Sequence, residues 1–333
     1  MSHPSRAHLP LLYALLIMVL GLGVTAVYWQ AEEQEVHDRA DHALHLSADQ
    51  MTSVIAQRMR SYELALRGVK GLLESSEAVT GSEFHRYVEA LQLAKTRPGL
   101  QAIVFVPNVP AEQLDTFVAQ MRAQGQSLYQ VRPAGERPRY APAAYIEPRT
   151  DANTAILGGD LATNPIARMA MDRARDTGEL ALSDGLRLMQ DAPQGLAASP
   201  AAVFYMPVYT PAIPTDTAAQ RQDALMGWVS GPFRFHELIG ALNNTLDADI
   251  HLTLQQHTAP APNNLLYRSG EADAPSHTRR TTRVLAVGGN EITLLLTAKP
   301  AFEDRFATEG HSAIALAGTA LSLLLGAMTW LLT

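Results

Sequence analysis

Residues 32–76 read "EEQEVHDRADHALHLSADQMTSVIAQRMRSYELALRGVKGLLESS", with no proline and no glycine before Gly68. Apolar residues recur at Leu44, Ala48, Met51, Ile55, Met59, Tyr62, Leu66, Val69 and Leu73, in steps of three or four. That spacing draws one stripe along a long helix. About 40 residues of it would run roughly 60 Å at ~1.5 Å per residue. The N-terminal half is sparsely apolar, with Ala40 and Ala43 set among charges. So polar a helix needs a partner: a second copy in a dimeric stalk, or the rest of its own chain.

An apolar run lies on either side. "LPLLYALLIMVLGLGVTAVYW" covers residues 9–29, and a second run extends from Ala313 to Leu332. Each is long enough to cross a ~30 Å hydrocarbon core. Arg6 precedes the first run and "AEEQEVHD" follows it, which places the N-terminus in the cytoplasm and Tyr28 and Trp29 in the outer interfacial belt. A cleaved signal peptide is the other reading, because Val24-Thr25-Ala26 has the small residues of a cleavage site. The expected plan is a cytoplasmic segment 1–8, a first span 9–29, a stalk helix 30–78, a larger folded region 79–245, a smaller one 246–300, and a helix 301–333 leading into a second span. Residues of about 30–311 then lie outside the cell membrane. The second span runs to Thr333 with no Lys or Arg after Arg305, so the expectation is a fragment whose cytoplasmic half is not included.

The 333 residues carry a net charge of -7, with 26 Lys and Arg scattered along the chain. A nucleic-acid binder needs a basic stripe, so that class is excluded. Cysteine is absent, which removes disulfides, thiolate metal sites and a cysteine nucleophile. No phosphate-binding glycine loop, GxSxG or HExxH occurs, and the paired Glu32 and Glu33 sit on the stalk. An enzyme reading of this segment therefore has no footing. His37, Asp41 and His45 stand four apart on one helix face, a spacing that can bind zinc. In so polar a segment a solvated face is the default, and no metal or cofactor is assigned.

Between the spans the pattern alternates short helices and strands. Thr80 and Glu83 form a capping box opening "EFHRYVEALQLAK", which Pro98-Gly99 closes. "LQAIVFVPNV" reads as a strand, and "PAEQLDTFVAQMRAQG" as a helix stopped by Gly125. "LYQVRP" and "APAAYIEP" read as strands around the turn "PAGERPR". Asn164 caps a helix with Pro165 in its first turn, ended by Gly178. "ELALSDGLRLM", "AAVFYMPVYT" and "ALMGWVSGPF" follow as antiparallel strands, with "TPAIPTDTAAQRQ" as a loop. After the helix "FRFHELIGALNN" come four more strands, the last two joined by a tight hairpin at Gly288-Gly289. The fold class is α+β: a long N-terminal stalk helix and two antiparallel-sheet regions, flanked by two transmembrane helices.

The order of motifs resembles the CHASE domain, an extracytoplasmic sensor of bacterial receptors and plant cytokinin receptors. "YELALRGVKGLLESSEAVTGSEFHRYVEAL", "RPAGERPRYAPAAYIEP", "RARDTGELALS", "FYMPVYTP" and "GWVSGPFRFHELI" carry the likeness, from Tyr62 to Leu242. The resemblance implies two tandem PAS-like domains, the membrane-distal one holding a ligand. It also implies an output domain beyond the second span, a histidine kinase or a diguanylate cyclase. With the polar stalk in need of a partner, the expectation is a homodimer joined through stalk and transmembrane helices in a bacterial inner membrane. The ligand is a small molecule, an N6-substituted adenine or another compound. A membrane-tethered module that binds a protein partner, with no small ligand, is the alternative.

By family position Asp160, in "LGGDLATNP", would accept hydrogen bonds from an adenine ring, with Gly158 and Gly159 admitting the ligand. Its alternative role is to stabilise the turn before Asn164. Alternate residues of a strand face opposite ways, and the resemblance implies Leu182 as a wall with Ser183 at a rim. Tyr205 and Phe204 compete for one pocket-facing position, Tyr205 where the plant receptors carry a small hydroxyl residue. Arg187 would meet an acidic ligand or solvent, and Tyr145 belongs to core or pocket. Thr177 and Gly178 match a helix terminus with a structural and signalling role.

Overall fold

The computed structural model describes residues 8–191, 200–242, 245–256, 265–270, 278–306 and 310–332. The chain divides into two compact units: Met1–Ser47 with His277–Arg279 and Ala298–Thr333, and Ala48–Ser276 with Arg280–Thr297. Helix α1 (His8–Glu74) is unbroken and supplies residues to both. The expected span and stalk are thus one element.

In the second unit the stripe Met51, Ile55, Met59, Tyr62, Leu66, Val69 and Leu73 is buried within the single chain, so this face is not left open for a second copy. Helix α2 (Gly81–Ala90) opens on the expected capping box: the Glu83 amide donates to Thr80 Oγ1, and the Thr80 amide to Glu83 Oε2 at 2.9 Å. It does not run on to Lys95. Gln92, at φ 48°, separates it from α3 (Leu93–Thr96). Phe84 and Val88 are buried one turn apart, whereas Leu93, also buried, would leave that face in a continuous helix. The left-handed turn returns it to the core.

A five-stranded sheet follows. Its strands are β1 (Ile103–Pro107), β4 (Tyr145–Glu147), β5 (Ala181–Leu182), β6 (Ala201–Tyr209) and β7 (Leu225–Arg234), in the order β4-β1-β7-β6-β5 and antiparallel throughout. Counted along the chain this is second, first, fifth, fourth, third, the PAS-like arrangement. Strands β2 (Val109–Pro110) and β3 (Arg139–Tyr140) pair separately. The connecting helices are α4 (Leu114–Ala123), α5 (Asp151–Thr154), α6 (Pro165–Thr177), α7 (Ala218–Ala224) and α8 (Phe235–Gly240).

Two expectations fail here. "LYQVRP" is not a strand: only Arg132 bridges, to Gly159, and Leu128 stands in solvent. Pro133 lacks the amide a ladder would need. The segment read as a loop after β6 holds α7, because Thr217 and Gln220 close a second capping box.

The smaller sheet has β8 (Ile250–Gln256), β9 (Leu265–Arg268), β10 (Arg280–Val287) and β11 (Asn290–Ala298), in the order β10-β11-β8-β9. Val287 pairs with Asn290 across the expected two-residue turn, with Gly288 and Gly289 both at positive φ.

In the first unit, α9 (Pro300–Asp304) and α10 (Gly310–Leu332) follow β11. Residues 307–309, where one continuous helix was expected, lie outside the described residues, as do the first seven. By length and composition α1 and α10 can each cross a membrane. Leu12, Leu16, Leu20 and Val24 are more than half exposed, as lipid-facing side chains would be. Small residues meet where the two helices pack: a Cβ on Gly21 would lie 2.6 Å from Ser322 Oγ, and one on Gly318 2.5 Å from Thr25 Cγ2. Close backbone approach of this kind is how spans associate without a hydrophobic drive. Arg279 ties α1 to α9, pairing with Asp41 and, at 2.9 Å, with Glu303.

Candidate functional site

Strand β6 is buried at all nine positions, which requires cover on both faces of the sheet. On one face Phe204 stacks on Phe233 (centroids 5.2 Å), and Phe233 meets Tyr62 of α1 at 5.7 Å. On the other, Val203, Tyr205 and Tyr209 pack with Ala167, Ala170, Met171 and Ala174 of α6. Hydrogen bonds from Trp228 Nε1 to the Met171 carbonyl (2.9 Å) and from Tyr209 OH to the Arg175 carbonyl (2.7 Å) hold that helix on the sheet.

Under α6 the packing leaves a cavity of about 50 Å³. The sheet contributes Val104, Val203, Tyr205 and Ser230 to its wall, α6 contributes Ala167, and the segment after β5 contributes Leu186 to Gln190. Tyr205 and Ser230 are cross-strand partners in the β6–β7 register. The Ser230 hydroxyl is buried without a hydrogen bond. A hydroxyl without a partner in a buried wall costs stability unless something else meets it. Burial pushes the phenol of Tyr205, in the same wall, well above the usual range. The Asn164 carboxamide reaches the same cavity while its oxygen accepts from the Ile166 amide at 2.9 Å, and Arg187 stands at an exposed edge of it.

Of the residues named from sequence, Tyr205 and Arg187 are brought to this cavity and the others are not. Asp160 is fully buried but turned to its own chain. Its Oδ1 accepts from the Ala141 and Ala162 amides at 3.0 and 3.2 Å, and its Oδ2 lies 3.0 Å from Arg137 Nε, an ion pair short of hydrogen-bond geometry. Gly158 and Gly159 admit the chain itself: a Cβ on Gly158 would stand 2.1 Å from the Gln130 carbonyl oxygen, and one on Gly159 2.7 Å from Met189 Cε.

Leu182 pairs with Phe204 and shares its face of the sheet, away from α6. Ser183 Oγ accepts from the Val203 amide and donates to the Asp184 carbonyl, both at 2.9 Å. Tyr145 stacks on Phe105 and donates to Gln124 Oε1 at 2.7 Å. Thr177 and Gly178 end α6 as expected, with Gly178 at φ 80° and its amide bonded to Ala174. Asp41 of the stalk trio is taken up by Arg279.

Ser230 was missed from sequence. "WVSGPF" shows an alternating strand, but not which face would meet a cavity.

A PAS-like sheet with a small, partly unsatisfied cavity, on a chain with two membrane-length helices, belongs to the class of extracellular receptor sensors. Residues 77–267, more than half of the sequence, match the CHASE domain, and the chain belongs to that family. Such a sensor is not itself catalytic. The structure is similar to the periplasmic sensory domain of the Campylobacter jejuni chemoreceptor Tlp1, with 10% identity over 82% of this chain and 98% of that one and a TM-score of 0.45. It is similar also to the extracellular domain of the histidine-kinase candidate vpHK1S-Z8, with 11% identity over 85% and 99% and a TM-score of 0.43. No curated protein matches this sequence.

Proposed function

We propose that the chain is the ligand-sensing part of a two-pass receptor of a bacterial inner membrane. In this reading α1 and α10 cross the bilayer and residues of about 30–311 face the periplasm. The signal passes to a cytoplasmic histidine kinase or, failing that, a diguanylate cyclase. A homodimer would use the side of α1 away from its buried stripe. The observation that supports ligand binding most directly is the buried, unpartnered Ser230 hydroxyl in the cavity wall, with Tyr205 as its cross-strand neighbour.

The cavity's volume bears on what it takes. Pockets for drug-sized ligands run to about 300–1,000 Å³, far above the 50 Å³ here. A molecule of a few heavy atoms, with an apolar body and one hydrogen-bonding group, fits as the wall stands. An N6-substituted adenine requires Leu186–Gln190 to move outward. The small volume also favours a second reading, a tethered module that binds a protein partner.

Melting of the full chain in lipid nanodiscs, against small carboxylates, amino acids, purines and N6-substituted adenines, separates these. A ligand at 100 times its dissociation constant adds ~2.7 kcal/mol. Stabilisation that disappears in Tyr205→Phe and Ser230→Val supports the cavity. Stabilisation that survives both places the ligand elsewhere, and a flat response to the whole panel favours the partner reading.

A further inference from the structure

Strand β5 is only two residues long, yet its outer side is closely bonded to the smaller sheet. The Leu182 amide donates to the Gly288 carbonyl at 2.8 Å, and the Leu182 carbonyl accepts from Asn290 Nδ2 at 2.8 Å and from Arg173. Two residues on, Asp184 Oδ1 accepts from Gln256 Nε2 at 2.6 Å and from Asn290 Nδ2 at 3.3 Å. The Gly185 amide donates back to Gln256 Oε1 at 3.0 Å. Gln256 and Asn290 are both buried. The approach is so close that a Cβ on Gly288 would lie 2.5 Å from the Leu182 nitrogen.

Gln256 ends β8 and Asn290 begins β11, the two central strands of their sheet. The residue after Gly185, Leu186, is already cavity wall. No slack lies between the hydrogen-bonded Gly185 and the lining, so a displacement of Leu186 is imposed on a contact that includes a carboxylate. Hydrogen bonds to a charged group are stronger than neutral ones, and leaving such a group unmet inside the fold is costly. The contact therefore moves as a unit rather than opening.

We propose that Asp184, Gln256 and Asn290 are positioning residues that carry the state of the cavity to the smaller sheet. The proposal rests on the cavity being the sensing site, but its test needs no ligand. Ser230→Val fills part of the cavity and removes an unpartnered hydroxyl. Amide hydrogen exchange is followed in the full chain in nanodiscs, with Ser230→Val placed on the native background, on Gln256→Met and on Asn290→Ala.

On the native background, Ser230→Val should change exchange in β8 and β11 by about threefold or more, the lower range of coupling between residues in one network. On Gln256→Met or Asn290→Ala the same substitution should change only the sheet that holds the cavity. A purely structural contact would alter exchange in each single variant without altering the response to Ser230→Val. The proposal is overturned if β8 and β11 do not respond on the native background, or if they respond equally on Gln256→Met and Asn290→Ala. A negative ligand panel alongside a positive exchange result would reject the ligand reading and leave this coupling in place.

Discussion

Removing the carboxylate of Asp160 strands three groups inside the fold: the Ala141 and Ala162 amides and the Arg137 guanidinium. Breaking a buried ion pair by deleting one partner costs about 3–5 kcal/mol. Arg137 keeps some solvent contact, so the low end, about 3 kcal/mol, is expected for Asp160→Ala in urea unfolding. An unchanged midpoint would return Asp160 to the list of ligand contacts. From sequence Asp160 could accept donors either from a ligand or from the turn before Asn164. The sequence could not show which, because one of the donors it meets sits 19 positions away in sequence. Tyr205 was legible as a competitor of Phe204, and the alternation of a strand gave two faces. Only the docking of α6 on one of them and α1 on the other decided that Tyr205 meets the cavity.

At the scale of elements, α6 and α7 are fastened through Asp176. Its carboxylate accepts from Arg175 Nε at 2.7 Å and from Gln222 Nε2 at 2.9 Å, while its carbonyl accepts from Arg221. The hydrogen bond with Arg175, more than any other influence, holds this carboxyl below the usual range. A lowered folded value means the contribution is complete above the unfolded value, about 3.9, and is lost as pH falls through the folded one. Melting temperature should therefore drop more steeply below about pH 4 in the native chain than in Asp176→Asn; parallel acid limbs would remove Asp176 from this role.

The helices of the first unit allow a comparable test. Cysteines at Met18 and Gly326, where a Cβ on Gly326 would lie 3.4 Å from Met18 Cβ, should form a disulfide on a background free of native cysteine. Adding Gly318→Leu, whose side chain collides with Thr25, should sharply lower that yield. An undiminished yield would mean the helices pack by another face. Caps and stops were the most legible features of this scale, since Thr80, Asn164 and Gly178 act through neighbours in sequence. The break at Gln92 was not legible, because it follows from where Leu93 must go.

For the whole molecule, the order of sequence blocks gave the family and the antiparallel α+β class, and the PAS-like strand order agrees with it. The apolar stripe of α1 was legible as a stripe, but its partner was not. Periodicity records that a face is buried and carries nothing about whose surface covers it, and here the chain covers residues 48–73 itself. The cavity was the least legible feature, being a difference between side chains drawn from β1, α6, β6, β7 and the segment after β5.

The completely buried strand β6 has a consequence for substitution as well. A strand with one wet face can vary at every second position and keep its fold. Nine consecutive buried positions have no such freedom, so a change at any of them is confined to the few side chains that fill the same space.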